Sequence, residues 1–172
     1  MFVTQRRIPP RPAQLGELPA GESGTLATLR LMRQLVREGR KHPEIRAQAL
    51  TLVDGLPSKA YRREAAMLYE FVRDQIRYTR DVHTVETLYQ PQITLADRHG
   101  DCDDKVVLLA SLLESIGHPT RFVAIGLQGG PFSHVYLETR IGAQWLAMDP
   151  TEPWPFGVTR YQGVTSRYVL DI

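Results

Sequence analysis

The apolar residues of this 172-residue chain change their period once, at Gly117-His118-Pro119, which restricts the fold to helices followed by a sheet. Upstream they recur at three and four. From Ser23, residues Leu26, Leu29, Leu31, Met32, Leu35 and Val36 form a helical stripe that Gly39 stops. Pro43 suits the first position of a second helix running to about residue 53. Pro57-Ser58 opens a third, with Ser58 as N-cap and Ala65, Leu68, Tyr69, Val72 and Ile76 as its core face. A fourth covers 102–116. Asp101 caps it, Asp104 takes the capping-box position, and Gly117 fits the site just past its end.

Downstream the period is two. Strands are expected over 121–127, 133–140 and 144–148, joined by Gln128-Gly129-Gly130-Pro131 and Ile141-Gly142-Ala143, with 167–170 able to add another. Strands joined by short turns pair antiparallel, so the expected class is α+β with the fourth helix packed on the sheet. Two stretches lack a period. Residues 1–22 carry Arg6, Arg7 and Arg11 among prolines and read as an extended arm before a single domain over 23–172. Residues 79–100, with Pro91 inside, read as an irregular loop of a length that tends to be functional.

A formal charge of +2, with basic residues scattered among acidic ones, gives no basis for a nucleic-acid partner. No run approaches the roughly 20 apolar residues that span a bilayer, so no membrane partner is expected. The basic N-terminus leads into prolines rather than an apolar stretch, unlike a secretory signal. The one cysteine rules out an internal disulfide and leaves a free thiol suited to a reducing compartment. A cytoplasmic protein is the expectation.

That cysteine, Cys102, stands where the polar loop Gly100-Asp101 gives way to the apolar run from Val106. A thiol in the first turn of a helix faces the positive end of the macrodipole, which favours the thiolate. His134 follows inside one expected strand and Asp149 at the end of the next. A thiolate attacking an amide needs an imidazole to manage its proton and a third group to orient that imidazole. Nucleophile, base and carboxylate occur in that order, and antiparallel neighbours can bring the last two together across a ladder.

Gly100-Asp101-Cys102, the turn Gly117-His118-Pro119-Thr120-Arg121, the strand Ser133-His134-Val135-Tyr136 and Trp145…Asp149-Pro150-Thr151 resemble the core of the transglutaminase-like superfamily over about 58–151. The resemblance implies a papain-like fold with Cys102 as nucleophile, His134 as general base and acid, and Asp149 as orienting carboxylate. Small microbial members of that superfamily are more often cysteine proteases or amidases than cross-linkers, so the resemblance favours hydrolysis of an amide in a peptide or protein substrate. Transfer to an amine as a protein-glutamine acyltransferase, a catalytically silent binding protein, and a phage or prophage accessory component stay open. For the oxyanion, the backbone N–H of Cys102 is one donor; Tyr78, which resembles the aromatic ahead of the family's nucleophile, Gln90 and Gln92 are candidates for a second.

Other chemistries fit less well. His99, Asp101, Cys102, Asp103 and Asp104 are metal-ligand types but lack a second Cys/His pair at zinc-like spacing, and the carboxylates of Asp101 and Asp104 are explained as caps. No cofactor is expected; calcium at the acidic loop stays open without a dedicated loop to indicate it. Ser111, Ser115 and Ser133 lack a Gly-x-Ser-x-Gly turn. His83, His99 and His118 read as surface or turn histidines.

Overall fold

Residues 106–113 are apolar on nearly every side, and such a helix is stable only inside a protein. The computed structural model, which describes residues 13–14, 22–79 and 87–172, places it there. In chain order the elements are β1 (Ala13–Gln14), α1 (Glu22–Gly39), α2 (Pro43–Val53), α3 (Tyr61–Gln75), β2 (Arg77–Tyr78) and β3 (Thr87–Leu88). They continue with α4 (Pro91–Asp97), β4 (His99–Gly100), α5 (Cys102–Ser115), β5 (Thr120–Leu127), β6 (Phe132–Ile141), β7 (Gln144–Met148) and β8 (Val164–Asp171). Helix α5 is the axis: the four other helices pack around it, and β5 and β6 lie against it. Val106, Val107, Leu108, Leu109, Leu112 and Leu113 are all fully buried.

Both ends of α5 are closed by local chemistry. At the start, Asp101 Oδ1 accepts from the Asp104 amide at 3.0 Å and Asp104 Oδ2 accepts from the Asp101 amide at 3.4 Å, a reciprocal capping box. At the end, Gly117 adopts φ +97°, where a side chain would be strained. The amides of Gly117 and His118 then reach back to the carbonyls of Glu114 and Leu113.

The main sheet is antiparallel in the order β7-β6-β5-β8. Alternation sorts its side chains. Phe122, Ala124, Val135, Leu137 and Met148 join the main core with α5, while Val123, Ile125 and Tyr136 form a second cluster with Ala147, Tyr161 and Val169. A charged network borders that second face: Glu138 accepts from Arg121 at 2.6 Å and from Arg167 at 2.9 Å, and the Arg121 guanidinium lies 4.1 Å from the Trp145 ring centroid.

Two sequence expectations change. Helix α3 begins at Tyr61, so Ser58 is not its N-cap. Lys59 takes φ +64° and residues 57–60 close a turn instead, leaving Ala60 at the cap with no side-chain bond. Residues 79–100 are not wholly irregular either, since they hold β3, α4 and β4, with Pro91 in the first turn of α4. These elements are too short to show a period. The arm residues Arg6, Arg7 and Arg11, and His83, lie outside the described residues; within the arm, Ala13–Gln14 pairs antiparallel with Thr87–Leu88. Among the described residues no helix is long and apolar enough to cross a membrane.

Candidate active site

Cys102 is the first residue of α5, and the segment leading into it is fixed from two sides. On one, β4 pairs in parallel with β2, aligning Gly100 with Tyr78, and the Thr79 amide donates to the Gly100 carbonyl at 3.0 Å. On the other, Asp104 Oδ1 accepts from the Tyr89 amide at 2.8 Å. The fit requires glycine at 100: a Cβ there would lie 2.7 Å from that of Asp104.

His134 sits near the start of β6, opposite Ile125 and beside a bulge at Ile125/Gly126. The register Leu137↔Met148 carries Asp149 one step beyond β7, onto the strand face that His134 and Tyr136 share. His134 Nε2 lies 2.6 Å from Asp149 Oδ2. The other oxygen, Oδ1, accepts from the Thr151 amide at 2.9 Å and the Thr151 hydroxyl at 2.6 Å, and the Tyr161 hydroxyl donates to Oδ2. The carboxyl is 0 % exposed. Burial alone would raise its pKa, but the bonds from His134, Thr151 and Tyr161 together with the imidazole's charge hold it below the ordinary value. An ionised carboxylate can only accept, so Nε2 carries the proton of the shared bond. From below, the Tyr69 hydroxyl is 3.0 Å from the Asp149 carbonyl and 2.8 Å from that of Trp154, tying α3 to the residue after β7.

Cys102 and His134 line one cavity of about 220 Å³, together with Asp103 and with Thr28, Met32 and Phe132. The thiol is half-buried and donates to Asp103 Oδ1 at 3.4 Å. Its electrostatics run against the sequence expectation. Burial pushes the thiol up, and the carboxylates of Asp103 and Asp101 push it further. Burial and the two carboxylates thus work against the partial positive charge of the helix end.

A sulfur at a helix start and an imidazole held by a buried carboxylate thus share one cleft, on helices followed by an antiparallel sheet. The sequence model of the transglutaminase-like superfamily matches residues 47–150 of the chain. The chain belongs to the transglutaminase-like superfamily.

A comparison with curated protein sequences finds no match. Solved structures show the same transglutaminase-like fold at low identity. A "Putative Cysteine Protease" from Cytophaga hutchinsonii superposes with a TM-score of 0.53 at 15% identity, covering 75% of this chain and 50% of its own. A "Putative Protease" from Parabacteroides distasonis gives a TM-score of 0.58 at 10% identity, covering 86% and 36%. LapG of Legionella pneumophila, treated with EGTA, gives 0.53 at 17% identity, covering 77% of each chain. This chain therefore spans about half the length of the first and little more than a third of the second.

The second-donor candidates are scattered around this transglutaminase-like core. Tyr78 is 46 % exposed, and its strand pairs with β4 just ahead of Cys102. Gln90 and Gln92 bond to each other at 2.6 Å at the start of α4. None of the three lines the cavity. His99 is exposed as expected, but His118 is buried and lies 2.9 Å from Glu64, because the turn at Gly117 tucks it against α3. Among the described residues no three His, Cys, Asp or Glu side chains are grouped to hold a metal ion.

Tyr69, Thr151 and Tyr161 escaped the sequence reading as site residues. Thr151 carried a signal, as the hydroxyl two residues past a carboxylate can fold back on it. Tyr161 carried none, because it lies in a segment without periodicity. Lys105, one turn along α5 from Cys102, is only 2 % exposed and donates to the Arg73 carbonyl at 3.3 Å. Burial brings its pKa down to about 8, with the charge of Asp149 working in the other direction.

Proposed function

We propose that this protein is a thiol-dependent acyl-transfer enzyme, a cysteine peptidase or amidase that cleaves an amide bond through a thioester on Cys102. The observation that carries the reading is the His134–Asp149 bond at 2.6 Å on an imidazole that shares its cavity with the thiol. With Nε2 committed to Asp149, Nδ1 is the ring nitrogen left to exchange a proton with Cys102. The thiol proton passes to Nδ1 as the sulfur attacks the amide carbon, and the oxyanion forms beside the Cys102 amide at the start of α5. The C–N bond then breaks while the imidazolium returns the proton to the departing amine. A water gives its proton to His134 and attacks the thioester, releasing the acid and restoring the thiol. Asp149 holds the ring in the required tautomer and balances its charge.

Transfer to a primary amine shares every step up to the thioester. A silent binding protein is the second reading, and the Cys102 bond to Asp103 favours it by keeping the resting thiol neutral. The test is incubation with a diverse peptide mixture, with and without a fluorescent primary amine, read by mass spectrometry against Cys102→Ala. New peptide termini that vanish in the variant support hydrolysis, and amine-tagged products support transfer. A mixture unchanged by the wild-type protein overturns the enzymatic reading.

A further inference from the structure

We propose that Tyr161 is a positioning residue of the site, clamping Asp149 Oδ2 so that the carboxylate presents one fixed acceptor to His134. This rests on the reading of His134 and Asp149 as catalytic partners. Tyr161 arrives from the long return between β7 and β8, and its hydroxyl donates to the very oxygen that His134 Nε2 approaches. Both Asp149 oxygens then carry two donors: the amide and hydroxyl of Thr151 on Oδ1, and His134 and Tyr161 on Oδ2. A carboxylate held at four points cannot swing, and neither can the ring bonded to it.

The phenol ring also shields the pair. Its centroid lies 5.3 Å from that of His134 at a tilt of 49°. It stacks on Tyr136 at 5.9 Å and meets Trp154 edge-on at 4.7 Å, so aromatic surface covers the imidazole on that side. Burial and the adjoining carboxylate both push the phenol up, which keeps it a donor wherever the enzyme could work.

Two roles follow and can be separated. The hydroxyl divides the accepting power of Oδ2 between two donors, and the ring keeps water from the His134–Asp149 bond. Tyr161→Phe removes the first and keeps the second; Tyr161→Ala removes both. The readout is the proton resonance of the His134 ring N–H in 15N-labelled protein, which needs no substrate. In Tyr161→Phe, Oδ2 is left to His134 alone, so the resonance moves downfield while the melting temperature changes little. In Tyr161→Ala it broadens or disappears through exchange with water. On any peptide the wild type cleaves, Tyr161→Phe lowers kcat about tenfold with KM unchanged. A resonance unmoved in Tyr161→Phe, with kcat also unchanged, overturns the proposal even if peptide cleavage is established. If the resonance moves as stated but the wild type cleaves nothing, the clamp stands and the peptidase reading falls.

Discussion

The Cys102 thiol donates to Asp103 Oδ1, 3.4 Å away on the next residue of α5. That bond and the carboxylate's charge favour the neutral thiol, so in the proposed mechanism His134 takes the proton against them.

Asp103→Asn tests this directly. Removing the charge lowers the thiol's pKa, since Asp103 is the largest contributor to the upward shift after burial. Alkylation by iodoacetamide at pH 7.5 should become about tenfold faster, the equivalent of roughly one pKa unit. An unchanged rate would mean that burial and Asp101, not Asp103, set the thiol.

Asp149→Asn should damage chemistry more than folding. The amide keeps the size but presents an NH₂ to a site built of donors, and it no longer specifies the His134 tautomer. Turnover should fall about 10³–10⁴-fold, with a loss of roughly 1–3 kcal/mol in urea unfolding from the mispaired buried group. A turnover close to that of the wild type would remove Asp149 from the mechanism.

The capping box predicts a pH dependence. Burial, reinforced by the charge of Asp101, raises Asp104 from 3.8 to about 7. Between those values the native state keeps a proton that the unfolded chain has released. The contribution is therefore fully present below pH 3.8 and is lost as pH rises towards 7. Asp104→Asn cannot titrate, so its stability relative to wild type should climb across that window. Denaturant titrations at pH 4.5, 6 and 7.5 measure it, and a constant difference would refute the assignment.

Tyr69 links the helical layer to the backbone of Asp149, its hydroxyl lying within hydrogen-bond reach of the carbonyls of Asp149 and Trp154. Tyr69→Phe should cost about 1–2 kcal/mol in urea unfolding, because the one hydroxyl proton these carbonyls share is lost, while the Trp154 carbonyl also accepts from Arg73. Hydrogen exchange at Thr151 should quicken in the same variant. Unaltered exchange would show that the segment is held without Tyr69.

What could be read from the residues was local or periodic. The α5 cap was legible because Asp101 and Asp104 act within one turn, and the strands because Phe122, Ala124, Val135 and Leu137 alternate with the residues of the second face. Three features were hidden for distinct reasons. Helix α4 is shorter than the window a period needs. The start of α3 depends on the left-handed Lys59, a conformation that residue type did not signal. The thiol's environment depends on burial and on the direction of the Asp103 side chain, both tertiary facts, so the helix-end argument alone pointed the wrong way. Tyr161 reaches Asp149 only because the return after β7 folds back over the sheet.

The central claim is that His134 manages the proton of Cys102, and the second-order rate of iodoacetamide with Cys102 measures it across pH 5–9. The account predicts that at pH 7 the wild type reacts about tenfold or more faster than His134→Ala, with the gap closing as pH approaches the range where the thiol ionises unaided. Coincident profiles for the two proteins across the whole range would contradict it.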